Sequence, residues 1–109
     1  MKKFLLLPII CLLCSEAFGQ IKVVQFNAGW NKANEVEWIT KLTDCETDYV
    51  DVAVKPDIQK ENSVVVVPTI IVFQDGKEVK RFQADLSFKM SATRKEVQDF
   101  IDELIFSDF

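Results

Sequence analysis

The chain has 109 residues and a formal net charge of −4, with 49% apolar and 28% charged residues. That length allows one small domain with a single core, and the low Gly, Pro and Cys contents exclude collagen-like, low-complexity and disulfide-stapled classes. The sequence contains no histidine, which removes Cys-His and Ser-His catalytic pairs and His metal clusters, so neither a metal nor another cofactor is expected.

The N-terminus has three parts. Met1-Lys2-Lys3 is a short basic region, Phe4 to about Cys14 is apolar, and Ser15-Glu16-Ala17-Phe18-Gly19 ends in a small-x-small pattern. This is the layout of a secretory signal peptide. Residues 1–19 are therefore read as a signal peptide cleaved after Gly19, and residues 20–109 as an exported domain, periplasmic or secreted. The apolar run of about 11 residues is short of the roughly 20 that span a bilayer, so no stable membrane span is expected.

Cys14 stands where a bacterial lipoprotein would carry its lipid. Cys11-Leu12-Leu13 before it lacks the small residues of such sites, and the plain signal peptide is preferred. Cleavage removes two lysines and one glutamate, taking the formal charge from −4 to −5. The basic pairs Lys80-Arg81 and Arg94-Lys95 are interleaved with acids, so nucleic acid is not an expected partner. Cys11 and Cys14 leave with the signal, and Cys45 remains as a lone thiol that cannot close an internal disulfide.

Ile21 to Asn27 is a β-rich run with apolar residues on both parities, which predicts a strand covered on both faces. After Ala28-Gly29-Trp30, Asn31 to Leu42 places Ala33, Val36, Ile39 and Leu42 every third residue with Trp38 beside them. A helix capped by Asn31 is predicted there. Tyr49 to Val54 alternates valines and predicts a second strand, parallel to the first. Lys55-Pro56-Asp57 turns the chain, and Asp57 to Asn62 has room for about one helical turn.

Pro68 cannot donate to a sheet ladder, so it marks the start of a strand over Thr69 to Gln74. Asp75-Gly76 is a strong two-residue hairpin signal, and Lys77 to Gln83 returns antiparallel. Val79 and Phe82 break strict alternation, which predicts a bulge. Thr93 and Glu96 have capping-box spacing. Val97, Phe100, Ile101, Leu104 and Ile105 then form one apolar face of a closing helix. The predicted class is α/β: a mixed β-sheet with flanking helices.

That order, with Trp30 at a strand-to-helix junction, Val67-Pro68-Thr69 before a strand and Asp75-Gly76 in a hairpin, resembles thioredoxin over about Val23 to Ile105. Phe26, Ala28 and Trp30 match the family's first matched strand, and Phe73, Gly76, Val79 and Phe82 match its hairpin. The resemblance implies a thioredoxin-like fold, shortened at the N-terminus because the family's first strand and helix have no counterpart in residues 20–109. It also implies that Pro68 is in cis beside the active site.

Under the same resemblance, Asn31 and Asn34 occupy the positions of the family's two cysteines, and Gln25 that of its buried aspartate. Dithiol exchange needs an activated thiolate and a second, resolving thiol. An amide supplies neither, so redox inactivity is expected and no catalytic residue is assigned. Trp30, Asn31, Asn34, Val67, Pro68 and Thr69 form a candidate groove for a protein or peptide partner, bound by strand pairing. Two other readings stand beside this one. One is a structural subunit of an envelope or virion, for which an apolar patch of Phe88, Phe106 and Phe109 would speak. The other is a monothiol redox protein using Cys45, which helix geometry puts roughly 18 Å from Pro68.

Overall fold

The structure is a computed structural model that describes residues 20–107. The predicted signal peptide, Cys14 and Phe109 lie outside those residues. Four strands, β1 (Ile21–Asn27), β2 (Glu46–Asp51), β3 (Thr69–Gln74) and β4 (Lys77–Gln83), form one mixed sheet in the order β2-β1-β3-β4. β1 runs parallel to β2 and antiparallel to β3, and β3 is antiparallel to β4. Two α-helices flank it, α1 (Pro56–Glu61) and α2 (Arg94–Ser107).

Alternation along the two inner strands makes two cores. Ile21 and Val23 of β1 and Ile70 and Val72 of β3 face α2, meeting Val97 and Ile101 together with Val36, Ile39 and Leu42. Val24, Phe26 and Ile71 face the other way, against Val52, Val64 and Val67, with Ile58 of α1 packed alongside. Both faces are covered, as the two apolar parities of β1 require. Each fully buried aliphatic side chain contributes about 1.5–3 kcal/mol relative to exposure.

β1, β3 and β4 fall where the sequence places them. The hairpin turns through Asp75 (φ 54°) and Gly76 (φ 84°), the two positive-φ positions of a tight primed turn. The bulge lies at Val79, where the pairing skips from Val72 opposite Lys80 to Phe73 opposite Glu78. The capping box is made in both directions: Glu96 N–H donates to Thr93 Oγ1 at 3.1 Å, and Thr93 N–H donates to Glu96 Oε1 at 2.9 Å.

Two expectations are corrected. β2 is Glu46–Asp51, not Tyr49 to Val54, because Asp51 ends it: its carboxylate accepts Ala53 N–H at 2.9 Å and its carbonyl accepts Val54 N–H at 3.1 Å. Val54 is left 72% exposed. The single helix over Asn31 to Leu42 is instead two short 3-10 helices, Gly29–Asn34 and Glu37–Lys41, broken at Glu35-Val36. A strict apolar spacing of three is the period of a 3-10 helix, whereas an α-helix drifts off it within two turns. Ala33, the first residue of that stripe, is exposed.

Replacing Thr93 with alanine removes a helix-cap acceptor without touching the core. The expected loss is about 1 kcal/mol, read as a lower urea midpoint at unchanged slope; an unchanged midpoint would show that the cap is not needed to hold α2.

Candidate functional site

The site begins with the buried amides of β1. Gln25 is essentially inaccessible, and its side chain pairs with both backbone groups of Val36: Gln25 Nε2 donates to Val36 C=O at 3.1 Å, and Val36 N–H donates to Gln25 Oε1 at 2.7 Å. Gln98 of α2 does the same to Thr43, with bonds of 3.1 and 2.9 Å. Two glutamine amides thus pin the irregular segment at its break and at its end. They supply hydrogen bonds that an α-helical ladder would have made.

Asn31 is buried, but it is not the helix cap expected of it. The N-cap position is Ala28, and Asn31 sits inside the first 3-10 helix at φ −111°, ψ 22°. Its Nδ2 faces three acceptors, Asn27 Oδ1 at 3.1 Å, Phe88 C=O at 3.3 Å and Val67 C=O at 3.4 Å. Two N–H donors cannot serve three acceptors separately, so at least one bond is shared. Its Oδ1 accepts Asn34 Nδ2 at 2.9 Å. The two asparagines are hydrogen-bonded to each other, and Asn31 ties together β1, the segment before Pro68 and the loop carrying Phe88.

The Val67–Pro68 peptide is cis. Arg81 holds the approach to it, donating to Asn62 C=O at 2.7 Å and Ser63 C=O at 2.9 Å. Thr69 is fully buried, and its hydroxyl donates to Val66 C=O. The N–H groups of Val65, Val66 and Val67 have no partner among the described residues, while Val67 C=O is already engaged by Asn31. The segment therefore offers donors to an incoming strand more readily than that acceptor.

Trp30 is 66% exposed and meets Phe88 edge to face, with ring centroids 5.3 Å apart. The pair overhangs a cavity of about 170 Å³ lined also by Val52, Ala53, Gln59 and Val65 to Val67. Phe88 (φ 66°) is presented by a turn built on Asp85, whose carboxylate accepts Ser87 N–H, Ser87 Oγ–H and Lys89 N–H. Those bonds, the Ser87 hydroxyl first, hold the Asp85 carboxyl below its ordinary range.

The sequence reading assigned Phe88 to a patch with Phe106 and Phe109 and missed its pairing with Trp30. The Asp85-Leu86-Ser87 turn was the available signal, since Asp readily hydrogen-bonds the backbone two residues on. Phe106 stands 82% exposed on the last turn of α2.

Cys45 lies at the other end of the sheet. It precedes Glu46, which pairs with Lys22 at the start of β1, whereas Pro68 precedes Thr69, which pairs with Phe26 near its end. At ~3.3 Å per residue the separation along the strands is on the order of 20 Å. Burial, and next the Asp44 carboxylate, push the Cys45 thiol up, away from the thiolate that exchange requires. Among the described residues there is no group of three potential His, Cys, Asp or Glu metal ligands, and no helix long and apolar enough to cross a membrane.

Solved structures share this architecture. A mutant thioredoxin from Halobacterium salinarum is 21% identical with a TM-score of 0.64, over 86% of this chain and 82% of that one. Fasciola hepatica thioredoxin is 29% identical with a TM-score of 0.59, over 86% and 89%. The reduced thioredoxin pre-protein of Schistosoma mansoni is 21% identical with a TM-score of 0.63, over 88% and 89%. No protein-family model and no curated protein sequence matches the chain. The fold is thioredoxin-like.

Two measurements check this geometry. In Gln25→Glu, a protonated carboxyl keeps both bonds to Val36, while the ionised form loses the donor and leaves a charge buried. The folded-state pKa must then exceed the ~4.3 of an unfolded chain. Stability is accordingly retained below about pH 4 and lost as the pH rises, by roughly 2–3 kcal/mol at pH 7 relative to the wild type; a difference that does not vary with pH would show the pairing to be dispensable. For Cys45, iodoacetamide at pH 8 should alkylate the folded protein at least about tenfold more slowly than the urea-unfolded chain. Equal rates would mean an open, ordinary thiol.

Proposed function

We propose that this chain is an exported protein- or peptide-binding module of thioredoxin-like fold without dithiol–disulfide exchange. One observation carries the reading: at the two cysteine positions Asn31 and Asn34 bond to each other, and Asn31 bonds to Val67 and Phe88, so the amides brace a groove where thiols would react. The groove keeps an exposed aromatic pair, Trp30 and Phe88, beside the N–H groups of Val65 to Val67, which are unpaired among the described residues. An extended chain laid there gains main-chain bonds from those donors and apolar contact from the rings. Export is supported by the three-part pattern of residues 1–19. The position and raised pKa of Cys45 favour this reading over the monothiol one.

The test joins two assays. In insulin reduction the protein is expected to give no rate above the thiol reductant alone. Extended peptides selected against it from a displayed random library should bind at least about tenfold more weakly to Trp30→Ala and to Phe88→Ala. Catalysed insulin reduction, or selected peptides that bind both variants as well as the wild type, would overturn the proposal.

A further inference from the structure

A second cavity, larger than the one beside Trp30, shares no lining residue with it. Thr47, Tyr49 and Asp51 pair with Val23, Gln25 and Asn27, so their side chains stand on the sheet face that the two 3-10 helices cover. Because the chain breaks at Glu35-Val36 to meet Gln25, the cover stops short of β2. A cavity of about 570 Å³ opens there between Gly29, Lys32, Glu35 and Ile39 on one wall and Tyr49 and Asp51 on the other. Tyr49, its ring in that wall, is 40% exposed.

Among the described residues the same strand is an open edge. β2 is the outermost strand, and Val52 N–H donates to Asn27 C=O at 2.8 Å. Since successive residues alternate in direction, Val50 and Asp48 also turn their backbone groups toward β1, while Thr47, Tyr49 and Asp51 turn theirs outward. Asp48 Oδ1 accepts Tyr49 N–H at 2.8 Å, and the Asp51 carbonyl is used by the following turn. Among the described residues, Thr47 N–H and C=O, Tyr49 C=O and Asp51 N–H are left for a partner strand.

Charge decides which partner. Glu46, Asp48 and Asp51 lie along the edge, and Glu35 faces it across the cavity, against Lys32 alone on the lining. Pairing with a second copy would set these acids against themselves, the usual way an edge strand refuses its own kind. Asp48 is partly committed, to Tyr49 N–H and to Lys22 at 3.7 Å. The Glu35 carboxylate has no hydrogen bond or ion pair among the described residues, and the Asp51 carboxylate accepts only Ala53 N–H there.

We propose that the β2 edge docks an extended basic segment of a partner protein, which adds a strand along Thr47 to Asp51 and seats a lysine or arginine head group in the cavity between Glu35 and Asp51, against the Tyr49 ring. The ring face and the two carboxylates suit a cation with an aliphatic stem, and the cavity exceeds the volume of one such side chain. This surface is independent of the Trp30 groove, and either can fail without the other.

The probe is an acetylated, amidated peptide of about eight residues alternating lysine and threonine, titrated into the full chain and followed by amide NMR shifts. Its counterpart with glutamate for lysine is the comparison. The lysine peptide is expected to shift Glu35, Thr47, Tyr49 and Asp51, and the glutamate peptide none of them. Glu35→Gln with Asp51→Asn, which keeps the acceptor for Ala53, should weaken binding at least about tenfold. Glu61→Gln with Glu103→Gln, the same change of net charge on distant helix surfaces, should weaken it less than about twofold. Absent binding, shifts centred on Trp30 and Val65 to Val67, or equal losses in the two double variants would each overturn the proposal, the last by reducing it to non-specific charge attraction.

Discussion

The arrangement of the functional end rests on the pairing of the Gln25 amide with the backbone of Val36. A buried side-chain amide must satisfy a donor and an acceptor, and an irregular segment crossing the sheet has backbone groups to satisfy. Each solves the problem of the other. The cost is helical continuity, because Val36 N–H and C=O are no longer available to a ladder. The chain from Gly29 to Lys41 becomes two 3-10 turns, pinned again at Thr43 by Gln98. Leaving a buried N–H or C=O unpaired costs about 1–3 kcal/mol, so this pairing outweighs the modest propensity difference between α and 3-10 geometry.

The break has consequences at both ends of the segment. Toward Trp30 it sets Asn31 at a non-helical φ, where its amide spans Asn27, Val67 and Phe88 in place of reaching back to cap a helix. Toward β2 it withdraws cover from Tyr49 and opens the larger cavity. Amides at 25, 31 and 34 therefore have a structural role of their own. They are neutral donors and acceptors that fix loops, Asn31 and Asn34 joined to each other and Gln25 bound to Val36, and none can take up or release a proton near neutral pH.

Much of the fold was legible in the sequence because its signals are local. Two apolar parities made β1 a doubly covered strand, Asp75-Gly76 made the hairpin, and Thr93 with Glu96 made the start of α2. β2 was misplaced because valines at 50, 52 and 54 alternate like a strand, while the turn at Asp51 depends on a carboxylate folding back over its own backbone. Trp30, Asn31, Asn34, Val67, Pro68 and Thr69 were nameable as a group through resemblance, and Asn31 is the residue through which the structure links Asn34 to Val67. The partnership of Trp30 with Phe88 was not legible, since they lie 58 positions apart in the chain and the turn on Asp85 aims the second ring.

What the sequence determined alone is β1, β3 and β4, the closing helix and the absence of histidine or a thiol pair from residues 20–109, since each follows from residue type and short-range spacing. The state of the Asn31 to Leu42 segment was decided by tertiary structure. Its apolar residues at intervals of three are compatible with more than one helix, and the choice fell to Gln25, a buried amide on another element. Long-range hydrogen bonding overrode local preference there because an unsatisfied polar group in the core costs more than an irregular turn at the surface.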